Sequence, residues 1–176
     1  MTAAEDIFGR NEDMIFVSHY DSPLGMIYMA ADDDVLKGVW FEGQKYFASG
    51  LDKKETEDKE TPVLKQTKEW LDLYFVGKEP EFLPPLAPDG SEFRKEVWKL
   101  LLTIPYGKTM TYGEIGRKIA EMTGKKHMSA QAVGGAVGHN PISILIPCHR
   151  VVGTNGSLTG YAGGIEKKIG LLKRER

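Results

Sequence analysis

The spacing of apolar positions changes character about halfway along this chain. Ile15 to Tyr20 is an apolar run with a polar insertion, stopped by the turn signal Asp21-Ser22-Pro23-Leu24-Gly25. Met26 to Ala31 is a second run, Asp32-Asp33-Asp34 a second turn, and Val35 to Phe41 a third run. Short runs separated by turn residues predict an antiparallel meander or hairpins. Gln44 to Glu60 is increasingly charged and lacks a period, which predicts a surface loop with room for a short helix or strand. Thr61-Pro62 then has the form of an N-cap with proline at the first helical position. Val63, Thr67, Trp70, Leu71 and Tyr74 share one face of the helix that follows, and Gly77 ends it. None of these side chains suggests catalysis.

Pro80, Pro84, Pro85 and Pro88, with Asp89-Gly90, mark a boundary that predicts domains over residues 1–88 and 89–176. Beyond it the period becomes helical. Ser91 is positioned to cap a helix whose Phe93, Val97, Leu100, Leu101 and Ile104 share a face, and Pro105-Tyr106-Gly107 breaks it. Thr111 and Glu114 have capping-box spacing and open a helix with Ile115, Ile119 and Met122 inward and Gly124 at its end. Ser129 can cap a further helix running to about Gly138, so the pair predicts a helix-turn-helix. Ile142 to Ile146 is compact and β-branched and predicts a buried strand that Pro147 stops.

The Ser129 helix is unusual. Ala130-Gln131-Ala132-Val133-Gly134-Gly135-Ala136-Val137-Gly138 has no long side chain except Gln131. Each glycine costs a helix about 1 kcal/mol relative to alanine, so three need a reason. Close approach of the backbone to another surface is one, whether DNA or a neighbouring element. With Gln131 as the one side chain able to reach base edges, the pattern favours shape reading or a minor-groove contact over major-groove sequence readout.

A length of 176 residues is enough for a real core. A single cysteine excludes an internal disulfide framework and fits a reducing compartment. His19, His127, His139 and His149 show no zinc spacing with it. Met1 to Asn11 lacks a basic-then-apolar signal pattern and no apolar run approaches membrane-spanning length, which predicts a soluble cytoplasmic protein. Charge changes the picture further. Residues 1–90 hold 9 Lys/Arg against 19 Asp/Glu, a balance of −10, whereas residues 91–176 hold 14 against 6, a balance of +8. A basic half of this size suits a nucleic-acid partner, with the acidic half facing away.

The one cysteine lies in Pro147-Cys148-His149-Arg150-Val151. A lone cysteine is often a small buried hydrophobe, but an imidazole and a guanidinium beside it favour thiolate chemistry. This motif, with Asn140 before it and Gly160-Tyr161-Ala162-Gly163-Gly164 after it, resembles the acceptor site of the O6-alkylguanine-DNA alkyltransferases. The resemblance covers the whole chain, faintly before Pro88 and closely from Ser91 onward. It implies an α+β fold, with a small ribonuclease H-like N-terminal α/β domain and a mainly helical C-terminal domain bearing the helix-turn-helix.

It also implies an activity. Cys148 would accept the alkyl group of O6-alkylguanine, and more weakly of O4-alkylthymine, in double-stranded DNA, once per molecule and irreversibly. The lesion would be flipped out of the duplex to reach it. His149 would take the thiol proton through a bridging water, Glu175 would orient His149, and Tyr112 would donate to the leaving purine. Asn140 would be the hinge between the helix and the active-site strand, a position that also suits a helix C-cap. Tyr161, Ala162, Val151 and Ser143 would bind the base, and Gln131, Ala130, Ala132, Gly134 and Gly135 would contact DNA. Family members carry an arginine where this chain has Gln131, which can fill the vacated stack but offers no cation. Lys125, Lys126 and Arg117 are the candidates to supply one. Arg150 is expected to form a structural ion pair. No cofactor or metal is implied, and a monomer is expected.

Two other classes compete. A non-catalytic alkyl-lesion binder would share the scaffold, but such proteins resemble the family with the acceptor cysteine replaced, and Cys148 is present. A cysteine hydrolase would need repeated turnover, which the basic helix-turn-helix context disfavours. A transcriptional role would need a further cysteine-rich domain.

Overall fold

The computed structural model describes residues 14–176; the reading of Met1 to Asn11 lies outside them. Three strands form the meander, β1 (Met14–Ser22), β2 (Gly25–Ala31) and β3 (Leu36–Phe41). The charged stretch after them contributes β4 (Glu55–Asp58), which pairs parallel to β1 and gives the sheet the order β3-β2-β1-β4. All four β4 residues are exposed, and their charge suits an edge that should not recruit another strand.

Helix α1 (Pro62–Phe75) begins as read. The Thr61 side chain accepts from Leu64 N, Pro62 is the first helical residue, and the face from Val63 to Tyr74 is buried against the sheet. After the proline segment come α2 (Glu92–Leu101), capped by Ser91, then β5 (Met110–Thr111) and α3 (Tyr112–Thr123). α3 opens on a complete capping box between Thr111 and Glu114 and ends at Gly124 with φ +70°. α4 (Ala130–Gly138), capped by Ser129, completes the helix-turn-helix, and α5 (Ile165–Arg174) closes the chain. One hydrophobic core runs from Phe16 in the sheet to Leu171 in α5, so both halves share an interior.

Three local expectations are corrected. Met122 is 59% exposed, and Ala120 takes the inward place in the last turn of α3. Periodicity says which side of a helix faces inward but not how far the core extends along it. Asn140 is not the C-cap of α4; His139 is, and its ring Nδ1–H donates to Gly135 O at 2.6 Å. Residues 142–146 are buried but do not form a strand. One parallel bridge joins Ile142 to Val39, and the chain then turns, with Ile144 at φ +70°. The cause is the Asn140 side chain. Its Oδ1 accepts from Ile142 N at 3.0 Å, and its Nδ2 donates to Ile142 O and Ile146 O at 3.3 and 2.8 Å. These bonds replace a ladder, a competition that side-chain amides win locally. A β-branched residue at positive φ costs on the order of 1–3 kcal/mol and marks an over-determined site.

Candidate active site

The turn held by Asn140 delivers Cys148 to the first position of a short 3-10 helix, Cys148–Arg150, followed by β6 (Val151–Val152), which pairs parallel with β5. Cys148 is 6% exposed and lies on a cavity of about 350 Å³. Tyr112, at the start of α3, lines it, as do Gly134 and Gly135 of α4 and Gly160, Tyr161 and Ala162 of the loop before α5. A Cβ built on Gly134, Gly135 or Gly138 would meet nothing within 4 Å, so these glycines are not packed on a neighbour; they keep the cavity side of α4 open.

Behind the cysteine, a buried polar cluster assembles around the final helix. Glu175, 4% exposed, accepts from His149 Nε2 and from Tyr74 Oη at 2.7 Å on Oε2. On Oε1 it accepts from Arg150 Nε at 2.6 Å and Gly107 N at 3.4 Å. Burial by itself would raise the Glu175 pKa, but the bonds from His149 and Tyr74 and the Arg150 charge outweigh it and hold the group at about 2. Arg150 also donates to Ile104 O at 2.7 Å, so the expected structural ion pair forms.

The protonation pattern follows. An ionised carboxylate only accepts, so the His149 proton sits on Nε2, and a neutral ring keeps its lone pair on Nδ1. Glu175 alone would favour imidazolium. Burial is the stronger influence on His149, reinforced by the Arg150 and Lys168 charges, and it lowers the pKa. Nδ1 is buried and has no hydrogen-bond partner among the described residues. The site therefore holds an oriented imidazole whose acceptor lone pair is free. Burial likewise raises the Cys148 pKa, opposed by the Asn140 amide, the Lys168 charge and the backbone N–H groups of Cys148 and His149. The resting group is a thiol that needs a proton acceptor.

The structure thus gathers Cys148, Tyr112, Tyr161, Ala162, Gly134 and Gly135 on one cavity, with Asn140, His149 and Glu175 supporting it from behind. Val151 and Ser143 are buried and do not line it. Val151 O accepts from Lys168 Nζ at 2.5 Å, and Ser143 Oγ donates to Gln44 Oε1 at 3.3 Å, so the structure gives both a packing partner and does not set either against a base in the cavity. Gln131 and Ala130 are exposed near the outer end of α4, with Ala132 partly buried beside them, away from the cysteine. Arg117, Lys126 and His127 surround a second cleft between α3 and α4, on which Ala130 lies.

Sequence reasoning missed Lys168, Tyr74, Gln44 and Tyr46. Lys168 is fully buried, with Nζ on the carbonyls of Val151, Thr159 and Gly160, so it ties the loop before α5 to the strand after the cysteine. Its signal was present: Lys168 and Leu171 fall at helical spacing on the inward face of α5, and Glu175 follows as its C-cap. Tyr74 was read as core, and nothing in its own segment announces a partner 101 residues away.

A buried cysteine on a cavity walled by glycines, with an oriented histidine behind it and a helix-turn-helix beside it, has the parts that a DNA-directed cysteine acceptor needs. The comparisons agree. The family model "6-O-methylguanine DNA methyltransferase, DNA binding domain" matches residues 92–176, and "6-O-methylguanine DNA methyltransferase, ribonuclease-like domain" matches residues 15–88. The chain belongs to the 6-O-methylguanine DNA methyltransferase family. It is 41% identical over 162 residues to a methylated-DNA--protein-cysteine methyltransferase of Methanosarcina acetivorans, covering 92% of this chain and 98% of that one. It is 43% identical over 163 residues to the protein of that name in Mycolicibacterium paratuberculosis, covering 93% of each. Among solved structures it resembles Mycobacterium tuberculosis OGT in complex with DNA, at a TM-score of 0.77 and 38% identity over 92% of each chain. The fold is α+β, an N-terminal ribonuclease-like domain followed by a helical DNA-binding domain.

Proposed function

We propose that this chain repairs DNA directly by moving the alkyl group of O6-alkylguanine, and more weakly of O4-alkylthymine, onto Cys148 Sγ. The observation that carries the reading is Cys148 on an open cavity with the free Nδ1 of a neutral, Glu175-oriented His149 behind it. The C–O bond breaks as the S–C bond forms. The thiol proton passes through a water to His149 Nδ1, the departing purine takes a proton from the Tyr112 hydroxyl, and solvent then returns a proton to the Tyr112 phenolate as His149 gives up its own. The exchange is hydrogen for alkyl, no step needs a metal or cofactor, and the thioether has no easy hydrolytic exit. Each molecule reacts once.

The target base is stacked inside a duplex, so it is flipped into the cavity. α4 enters the minor groove with Gln131, Ala130 and Ala132 toward DNA, and Arg117, Lys125 and Lys126 supply the cations that Gln131 does not. The DNA bound by the M. tuberculosis relative supports that partner. The chain works as a monomer of two domains, 1–88 and 89–176. Among the described residues no helix is long and apolar enough to cross a membrane.

Intact-mass spectrometry after incubation with a duplex containing O6-methylguanine tests this. A single methyl-sized gain is expected, saturating at one equivalent and absent in Cys148→Ala. Lesion-dependent binding without any gain would instead identify the non-catalytic lesion binder, and neither would sink the repair reading.

A further inference from the structure

The loop between β3 and β4 has no periodicity in sequence, yet three consecutive residues in it reach three different elements of the C-terminal half. Gln44 is buried; its Oε1 accepts from Phe41 N at 2.8 Å and from Ser143 Oγ, behind the cysteine. Lys45 N–H donates to Ala162 O at 2.9 Å, on the base-pocket loop. The Tyr46 ring stacks on His139, the C-cap of α4, with centroids 3.8 Å apart and planes at 23°. To make these contacts Tyr46 adopts φ +61° and Ala48 φ +51°, which L-residues hold only where the surroundings enforce it.

Lys45, Tyr46 and His139 all line the cavity of Cys148. Its other walls offer little bulk, since a Cβ on Gly134, Gly138 or Gly160 would meet nothing within 4 Å. Its floor is backed by the hydrophobic core, of which Cys148, Ile144 and Ile146 are all buried members. The reacting carbon must sit at Sγ, so a substituent longer than methyl needs room beside it and pushes the purine toward the mouth. Tyr46, 41% exposed, stands at that mouth, braced by His139. We propose that Tyr46 is a specificity-determining residue, its ring stacked on His139 forming the wall that limits how large an O6 substituent the pocket accepts. The inference rests on the alkyl-transfer reading above and adds to it a residue of the N-terminal domain.

The test compares single-turnover transfer to the full-length chain from duplexes carrying O6-methylguanine or O6-butylguanine, read by intact mass. Tyr46→Ala should raise the butyl-to-methyl rate ratio about tenfold, the lower end of what one methylene is worth in a pocket. His139→Ala removes the brace from the other side and should shift the ratio in the same direction, which keeps the test decisive if one variant folds poorly. Tyr46→Phe retains the ring and should keep the wild-type ratio. An unchanged ratio in the alanine variants, or both rates falling by one factor, overturns this role for Tyr46 while leaving alkyl transfer intact. A wild-type chain that gains no methyl overturns the transfer reading, and the wall with it.

Discussion

The two halves of the molecule bury polar groups for different purposes. In the sheet half, buried Ser22, Thr61 and Thr67 serve their own backbone: Ser22 Oγ donates to Gly25 O at 2.6 Å, Thr61 caps α1, and Thr67 Oγ1 donates to Val63 O at 2.8 Å. In the helical half, Asn140, Ser143, His149, Lys168 and Glu175 are buried, three of them ionisable, and they gather around Cys148. Local hydroxyl bonds cost little to bury, whereas charges are retained inside only when paired and hydrogen-bonded. A buried charge cluster is therefore the sharper sign of chemistry. The sheet half joins it at two places, the Tyr74 hydroxyl and the Gln44–Tyr46 loop.

That contrast can be broken most severely at Glu175. Glu175→Gln leaves Arg150 without its buried counter-charge and gives the Nε2–H of His149 a weaker acceptor, so a loss of about 3–5 kcal/mol in denaturant unfolding is expected. Alkyl transfer, read by mass, should slow by about 100-fold or more. Unchanged stability would mean the cluster is not held by charge. Acid gives a smaller effect of the same origin. The Glu175 pKa in the folded chain, about 2, lies below its ordinary value of 4.5, so its contribution is present above pH 4.5 and is lost as pH falls toward 2. Unfolding titrations across that window should show a loss on the order of 2–3 kcal/mol, and Glu175→Gln should flatten that part of the curve.

Tyr74→Phe removes one donor to the carboxylate from the sheet side. A bond to a charged acceptor is worth about 1.5–3 kcal/mol, and the expected loss lies at the lower end because three other donors remain. Slower transfer in this variant would show the sheet half tuning the base; a pure stability loss would confine its part to packing. The smallest effect concerns the surface. Gln131→Arg adds a cation to the DNA face and should tighten duplex binding severalfold while steepening its salt dependence by about one counterion. Fluorescence anisotropy at two salt concentrations checks this, and an unchanged slope would place residue 131 away from phosphate.

Local features were legible where one residue's chemistry decides them. Thr61-Pro62, Ser91, the Thr111/Glu114 box and Gly124 each mark a helix end through a bond or φ angle within a few positions, and each stands where it was read. The segment 142–146 departs from the strand its propensity predicts because propensity counts the residues of a run and not the Asn140 amide, two positions before Ile142 and six before Ile146, that competes for their backbone. Cys148, His149 and Glu175 were assigned from resemblance. Nothing local in Lys173-Arg174-Glu175-Arg176 distinguishes a buried carboxylate from a solvated helix end.

The sequence by itself determined the three-strand meander, the helix starts at Thr61, Ser91, Thr111 and Ser129 and the opposed charges of the two halves, because composition or neighbours within a turn or two decide each. The tertiary structure alone decided which lone pair of His149 is free, that Lys168 is buried against three carbonyls, and that Tyr46 faces the cavity of a cysteine 102 positions away. Those outcomes depend on burial and on groups brought together from distant parts of the chain, and in a low-dielectric interior such partners set protonation and pocket shape more strongly than the residues beside them in sequence.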